Sequence, residues 1–190
     1  MKTIAVDLDD TLNNFTETLR GTDFSNEASY GIPDETFHAY MAKLRAGLAD
    51  DSDLLSTEYT YFRYKIHLQC YERADARADG IEFMQWLRKN HWRIVICTHR
   101  DLRRCSDSTK QWLRNNGMPF DHLFMALHKP NFCKTWGIGH LVDDHLFSIA
   151  QGRRHGVQVF YPAMEKHTSI EPNGARAFKT FEEVRQWIQG

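Results

Sequence analysis

Long apolar runs, paired cysteines and an excess of either charge are all missing from this sequence. No stretch of about 18 apolar residues occurs, so no membrane-spanning helix is expected. Met1-Lys2 leads straight into an apolar segment with no signal-peptide pattern, and a cytoplasmic protein is the expectation. Cys70, Cys97, Cys105 and Cys133 show no Cys-x-x-Cys spacing, which argues against a zinc site or a disulfide framework and for reduced, buried thiols. No His-Glu-x-x-His pair occurs among the ten histidines. Lys plus Arg number 24 against 25 Asp plus Glu, so neither an extended nucleic-acid surface nor a membrane is an expected partner. Any phosphate binding must therefore be local. Internal repeats and low-complexity segments are absent as well.

What is present suits an ordinary globular chain: 190 residues, 42% hydrophobic and 13% aromatic, enough for one core domain and a modest insertion. Apolar, β-branched runs alternate with helical periodicity. Ile4-Ala5-Val6 reads as a buried strand, then Ile81 to Asn90 as a helix, Ile94-Val95-Ile96 as a second strand and Ser106 to Asn116 as a helix stopped by Gly117 and Pro119. Leu123 to Leu127, His140-Leu141-Val142 and Val157 to Phe160 supply further strands, and Phe181 to Ile188 a terminal helix. This order predicts an α/β fold, a Rossmann-like parallel sheet with helices on both faces.

One interval breaks the alternation. After Leu12 the chain turns polar through Asn13, Asn14, Gly21, Asn26 and Gly31. Phe37, Tyr40, Met41, Leu44 and Leu48 then recur at helical spacing, as do Tyr59, Phe62, Ile66 and Cys70, around an acidic loop at 49–53 read as solvated. The stretch between Thr11 and Thr98 is far longer than one crossover needs, whereas that between Thr98 and Lys134 is filled by a helix and a strand. The expected division is a core of residues 1–12 and 79–190 with a small helical cap, 13–78, inserted after the first strand. Phe15, Tyr61 and Tyr64 are the candidate substrate-facing residues of that cap.

The chemistry is expected where the first strand ends. Asp7 and Asp9 follow Val6 with one residue between them and Thr11 beyond, and open α/β sheets place ligands at the carboxyl ends of strands. Two carboxyl groups at one site can divide the work, one attacking as a carboxylate and the other delivering a proton. Thr98-His99-Arg100 ends the second strand with a hydroxyl and further donors, Arg being suited to bidentate phosphate contact. Asp143-Asp144 ends a later strand and offers hard oxygen ligands of the kind magnesium takes.

Asp7, Asp9 and Thr11 match the DxDxT signature of the haloacid dehalogenase superfamily. Thr98, a lysine and the strand-end Asp143-Asp144 resemble its later motifs in order. The resemblance implies a magnesium-dependent phosphatase in which Asp7 is the nucleophile and Asp9 the acid and base. Thr98, His99, Arg100 and Lys134 would bind phosphate, and Asp7, Asp9 through its carbonyl, Asp144 and Asp143 would hold Mg2+. Lys134, in Lys-Thr-Trp-Gly, is preferred as the motif lysine over Lys129, in His-Lys-Pro, which stays open. Small size, a cap after the first motif, Ile-Cys-Thr and Leu-Val-Asp-Asp resemble the compact 5′-nucleotidase and deoxyribonucleotidase branch, implying a nucleoside 5′-monophosphate as substrate. Asp-Leu-Asp-Asp-Thr-Leu departs from the Asp-Met-Asp-Gly-Val of the best-known nucleotidases, and His99-Arg100 from their Ser-Pro. A sugar phosphate or a polynucleotide end therefore stays open, as does a catalytically silent module that binds nucleotide or protein.

Overall fold

In the computed structural model, residues 2–22, 67–168 and 171–189 are described. The chain divides into two compact units, Met1–Asn14 with Ala76–Gly190, and Phe15–Asp75.

The larger unit is built on six parallel strands: β1 (Thr3–Val6), β2 (Arg93–Thr98), β3 (His122–Met125), β4 (His140–Val142), β5 (Gln158–Pro162) and β6 (Arg176–Phe178). Their order is β3-β2-β1-β4-β5-β6. The chain moves outward from β1 in one direction through β2 and β3, then in the other through β4 to β6, which makes the carboxyl end of β1 the topological switch point. Alternate strand residues enter two cores. Ile4, Val6, Ile94, Ile96, Val142 and Phe160 face one, which is completed by Phe83, Met84 and Leu87 of helix α2 (Ala78–Lys89), Trp112 and Leu113 of α3 (Leu102–Asn115), and Phe181, Val184 and Ile188 of α6 (Phe181–Gln189). Ala5, Val95, Cys97, Leu141, Val159 and Tyr161 face the other, beneath Cys133 of α4 (Lys129–Thr135) and Ile149 of α5 (Leu146–Gln151). Burial on both faces is why these strands read as unbroken apolar runs.

Several boundaries differ from the sequence reading. Helix α3 begins four residues before the expected Ser106, because the Asp101 carboxylate accepts the Arg103 backbone N–H at 3.2 Å and caps it. The chain kinks at Cys105, where φ is −127°. Strand β3 ends at Met125 rather than Leu127, and β5 runs on to Pro162. Strand β6 has no counterpart in the sequence reading: its three residues, Arg-Ala-Phe, bury only Phe178 and carry no alternation to detect. Among the described residues, no helix is long and apolar enough to cross a membrane.

Gly152, after α5, has no room for a side chain. A Cβ there would lie 2.3 Å from Val159 Cγ2 and 3.0 Å from the Val157 carbonyl oxygen. Gly152→Ala is expected to lower stability by about 1–3 kcal/mol, read as a fall in thermal midpoint. An unchanged midpoint would mean that β5 can shift to admit the methyl group.

In the smaller unit, helix α1 (Phe15–Gly21) buries Leu19, and residues 67–73 are helical. The Phe15 ring packs on His67 and Tyr71, with centroids 5.2 and 5.1 Å away. The expected helix around Phe37 to Leu48, the acidic loop at 49–53, and Tyr61 and Tyr64 lie outside the described residues. In the larger unit, Asn13 and Ala76 form an antiparallel bridge, and the Arg77 N–H donates to the Leu12 carbonyl at 2.9 Å. The chain thus departs and returns at neighbouring points.

Candidate active site

Register brings the acidic residues together. Val6 lies opposite Ile96 and Val142, so Asp7 and Asp143 leave the sheet side by side while Thr98 ends the next strand. The Asp7 N–H still donates to Val142 O at 2.9 Å, and that of Asp143 to Phe160 O at 3.0 Å, holding both acids to the sheet. Past Asp7 the chain wraps tightly, with the Thr11, Leu12 and Asn13 N–H groups all donating to Leu8 O at 2.8–3.2 Å. Asp10 takes a left-handed φ of 57°, and its N–H donates to Asn13 Oδ1 at 3.1 Å. Thr11 ties this loop to the one after β4: its hydroxyl donates to Asp144 Oδ1 at 3.3 Å and accepts the Asp144 N–H at 3.2 Å.

Lys129 sits between the two strand ends. Its Nζ lies 2.9 Å from Asp7 Oδ1 and 2.8 Å from Asp143 Oδ1, and its side chain is 1% exposed. Lys134, the lysine preferred from the sequence, is not brought to these two acids and is exposed in the last turn of α4. Lys129 opens the helix directly after the β3 loop, at the carboxyl edge of the sheet. Five residues later, Lys134 is about 7.5 Å further along the axis and about 140° around it, so it cannot reach the same place. Burial alone would push the Lys129 ammonium down, but the Asp143 and Asp7 carboxylates hold it above its ordinary range.

The two acids respond differently to the same lysine. Burial pushes the Asp7 carboxyl well above its ordinary range; Lys129 opposes the rise, while Asp143, Asp144 and Asp9 add to it. Burial acts likewise on Asp143, yet there the Lys129 charge and hydrogen bond prevail and hold the carboxyl low. Between Asp7 and Asp143 a single ammonium thus faces two buried carboxyl groups, which leaves the cluster short of positive charge.

A hard dication fits that shortage. One oxygen from each of the buried Asp7, Asp143 and Asp144 lies within 4.8 Å of the others. Asp143 Oδ2 is buried with no hydrogen bond of normal geometry, the Ser148 hydroxyl being the neighbouring donor of the carboxylate. A buried all-oxygen set is the donor chemistry that Mg2+ takes.

Of the residues expected to bind phosphate from the second strand, Thr98 keeps its strand-end place and Arg100 does not face outward. Thr98 is buried at the end of β2, its hydroxyl accepting the Arg100 N–H at 3.2 Å. The expected phosphate donor Arg100 turns inward instead and grips Asp9, with Nε 2.9 Å from Oδ2 and Nη2 2.5 Å from Oδ1. His99 donates through Nε2 to Leu127 O at 2.9 Å and stacks edge-on against His145 at 4.8 Å. Burial lowers the His99 imidazole, and the Lys129 and His145 charges act in the same direction. Cys97 and Cys133 are buried nearby, and burial pushes both thiols up, Cys133 to about 12, so neither competes as a nucleophile.

Two contributors went unnoticed in the sequence. Lys166, in a short 3₁₀ turn at Glu165–His167, bonds Asp144 Oδ2 and lies 3.7 Å from Asp10 Oδ2. His167 beside it links Pro162 O and Asp144 O, each at 2.8 Å. No sequence spacing marks them, because the turn follows a different strand from the one that carries Asp144.

No family model matches the sequence, and no curated protein matches it. Solved structures do. A haloacid dehalogenase-like family hydrolase from Streptococcus pneumoniae superposes with a TM-score of 0.68 at 16% identity, covering 100% of this chain and 99% of that one. This chain has the haloacid dehalogenase-like fold. An HAD phosphatase from Thermococcus onnurineus shares the HAD-like fold with a TM-score of 0.66 at 18% identity, again covering 100% and 99%. So does the D,D-heptose 1,7-bisphosphate phosphatase of B. bronchiseptica, solved with magnesium and phosphate, at a TM-score of 0.55, 13% identity and the same coverage. In the HAD-like core of this chain, the cluster of Asp7, Lys129, Asp143 and Asp144 occupies the switch point.

Proposed function

We propose that the protein is a magnesium-dependent phosphomonoesterase that works through an aspartyl-phosphate. The observation that carries this reading is the Lys129 ammonium bonded to both Asp7 and Asp143 at the switch point of the sheet. Asp7 attacks phosphorus through a carboxylate oxygen, and the ester oxygen departs with the proton of Asp9. Asp9 then takes a proton from the water that attacks the aspartyl-phosphate, which releases inorganic phosphate and restores both acids. Thr98 and the backbone N–H groups around it bind a phosphoryl oxygen, and Lys129 balances the charge on Asp7 and the phosphoryl group. Asp7, the Asp9 carbonyl, Asp144 and Asp143 would hold magnesium, whose positive charge, when bound, stabilises the phosphoryl oxygens.

The substrate in this reading is a nucleoside 5′-monophosphate, on the sequence resemblance of Ile-Cys-Thr and Leu-Val-Asp-Asp to compact 5′-nucleotidases. Substrate choice is placed in the insertion, residues 13–78, on the length of chain between Thr11 and Thr98. A panel of nucleotides, sugar phosphates and 3′- or 5′-phosphorylated oligonucleotides, assayed with magnesium and with chelator, tests all three parts. Turnover is expected to vanish with chelator, to return with magnesium and to be greatest on nucleotides. Preference for sugar phosphates would overturn the substrate, magnesium-independent turnover the metal, and phosphate binding without release from any ester the enzyme itself.

A further inference from the structure

Arg100 follows Thr98 by two residues, at the rim where substrate phosphate is expected, yet its side chain is 0% exposed. All three of its nitrogens are engaged inside the protein. Nε and Nη2 bond the two oxygens of Asp9, and Nη1 bonds Thr109 Oγ1 at 3.2 Å. Thr109 is itself fully buried on α3. A rigid helix is thus connected through one guanidinium to a carboxyl group on a loop.

We propose that Arg100 is a positioning residue for Asp9 and not a ligand of the substrate phosphate. The proposal rests on the reading of Asp9 as the acid. A carboxyl group on a loop can rotate about two side-chain bonds, and proton transfer to a leaving oxygen needs one orientation. Two parallel N–H···O bonds from a planar guanidinium fix the plane of the carboxyl group as well as its place; they favour its ionised form, so the proton that Asp9 delivers sits on a lone pair outside the fork. Asn13 Nδ2 adds a third donor to Asp9 Oδ1 at 3.1 Å, from the same tight loop. A phosphate ligand, in contrast, must present N–H groups to an open site, which a guanidinium buried against Asp9 and Thr109 does not.

Arg100→Lys keeps the charge and removes the fork, so it tests position separately from charge. The readout is kcat/KM, which reports the transfer to Asp7 and not the later hydrolysis shared by all esters, across phosphomonoesters of graded leaving group, from dinitrophenyl phosphate to simple alkyl phosphates, with inorganic phosphate as competitive inhibitor. Arg100→Lys is expected to lose roughly 100-fold or more on alkyl phosphates and less than about 10-fold on dinitrophenyl phosphate, with phosphate inhibition within about twofold of wild type. Weaker phosphate inhibition together with an equal loss on every ester would overturn the proposal and return Arg100 to the phosphate. If Arg100→Lys does not fold, Thr109→Val serves in its place: a smaller loss with the same leaving-group dependence supports the proposal, and a uniform loss overturns it. Asp9→Asn run alongside separates the two readings. Leaving-group dependence in Asp9→Asn but not in the Arg100 or Thr109 variant removes the positioning role alone. Its absence in Asp9→Asn removes the acid, and the positioning role with it.

Discussion

Asp7→Asn is expected to lower turnover on every phosphomonoester by at least about three orders of magnitude while the protein stays folded. The amide matches the carboxylate in shape but has no charged oxygen to form the bond to phosphorus. Stability is expected to hold or rise, because burial pushes the Asp7 carboxyl toward the neutral form. An amide removes that ionisation. A carboxyl whose folded pKa is raised favours the native state at low pH and loses that contribution as pH rises through the folded value. The asparagine variant should therefore gain on wild type in thermal midpoint from pH 5 to pH 8 in metal-free buffer. Rapid quench with a labelled ester should find no acid-stable phosphoprotein. Near-normal turnover in magnesium would reject Asp7 as nucleophile.

Lys129→Met is expected to abolish turnover and to destabilise the fold by about 3–5 kcal/mol, the usual cost of removing one partner from a buried ion pair. Lys129 neutralises two buried carboxylates at once, and a methionine of similar length leaves both without their counter-charge. Asp143, held low by Lys129 in the wild type, then joins Asp7 in favouring its protonated form. The sign of the pH effect follows. In the wild type, the low folded pKa of Asp143 supplies stability at neutral pH that is lost as pH falls through that value. In the variant, the raised pKa makes the native state more favourable at low pH. The gap in thermal midpoint should consequently narrow as pH drops from 8 to 5 in chelator. Lys134→Met provides the control: an exposed residue away from the cluster should change stability by less than about 0.5 kcal/mol and leave turnover intact. If the two variants exchange behaviours, the assignment of the site lysine reverses.

Most of the α/β core could be read from alternation. Strands buried on both faces leave continuous runs such as Ile94-Val95-Ile96, and helices such as α2 and α6 carry one apolar stripe. Strand β6 escaped because pairing with β5, not its own pattern, makes it a strand. Helix α4 escaped because its seven residues are too few to establish a period.

At the site, the sequence by itself located the residues that are held in place by their position on a strand. Asp7 follows β1, Thr98 ends β2 and Asp143-Asp144 follow β4, so once parallel strands are recognised their carboxyl ends must meet. The tertiary structure alone decided which long side chains join them. Helix phase selects Lys129 over Lys134, a contact across 91 residues gives Arg100 to Asp9, and a 3₁₀ turn after β5 delivers Lys166 to Asp144. The physical reason is reach. A strand-end aspartate is short and lies where its backbone puts it, whereas lysine and arginine extend several bonds and settle wherever buried carboxylates draw them.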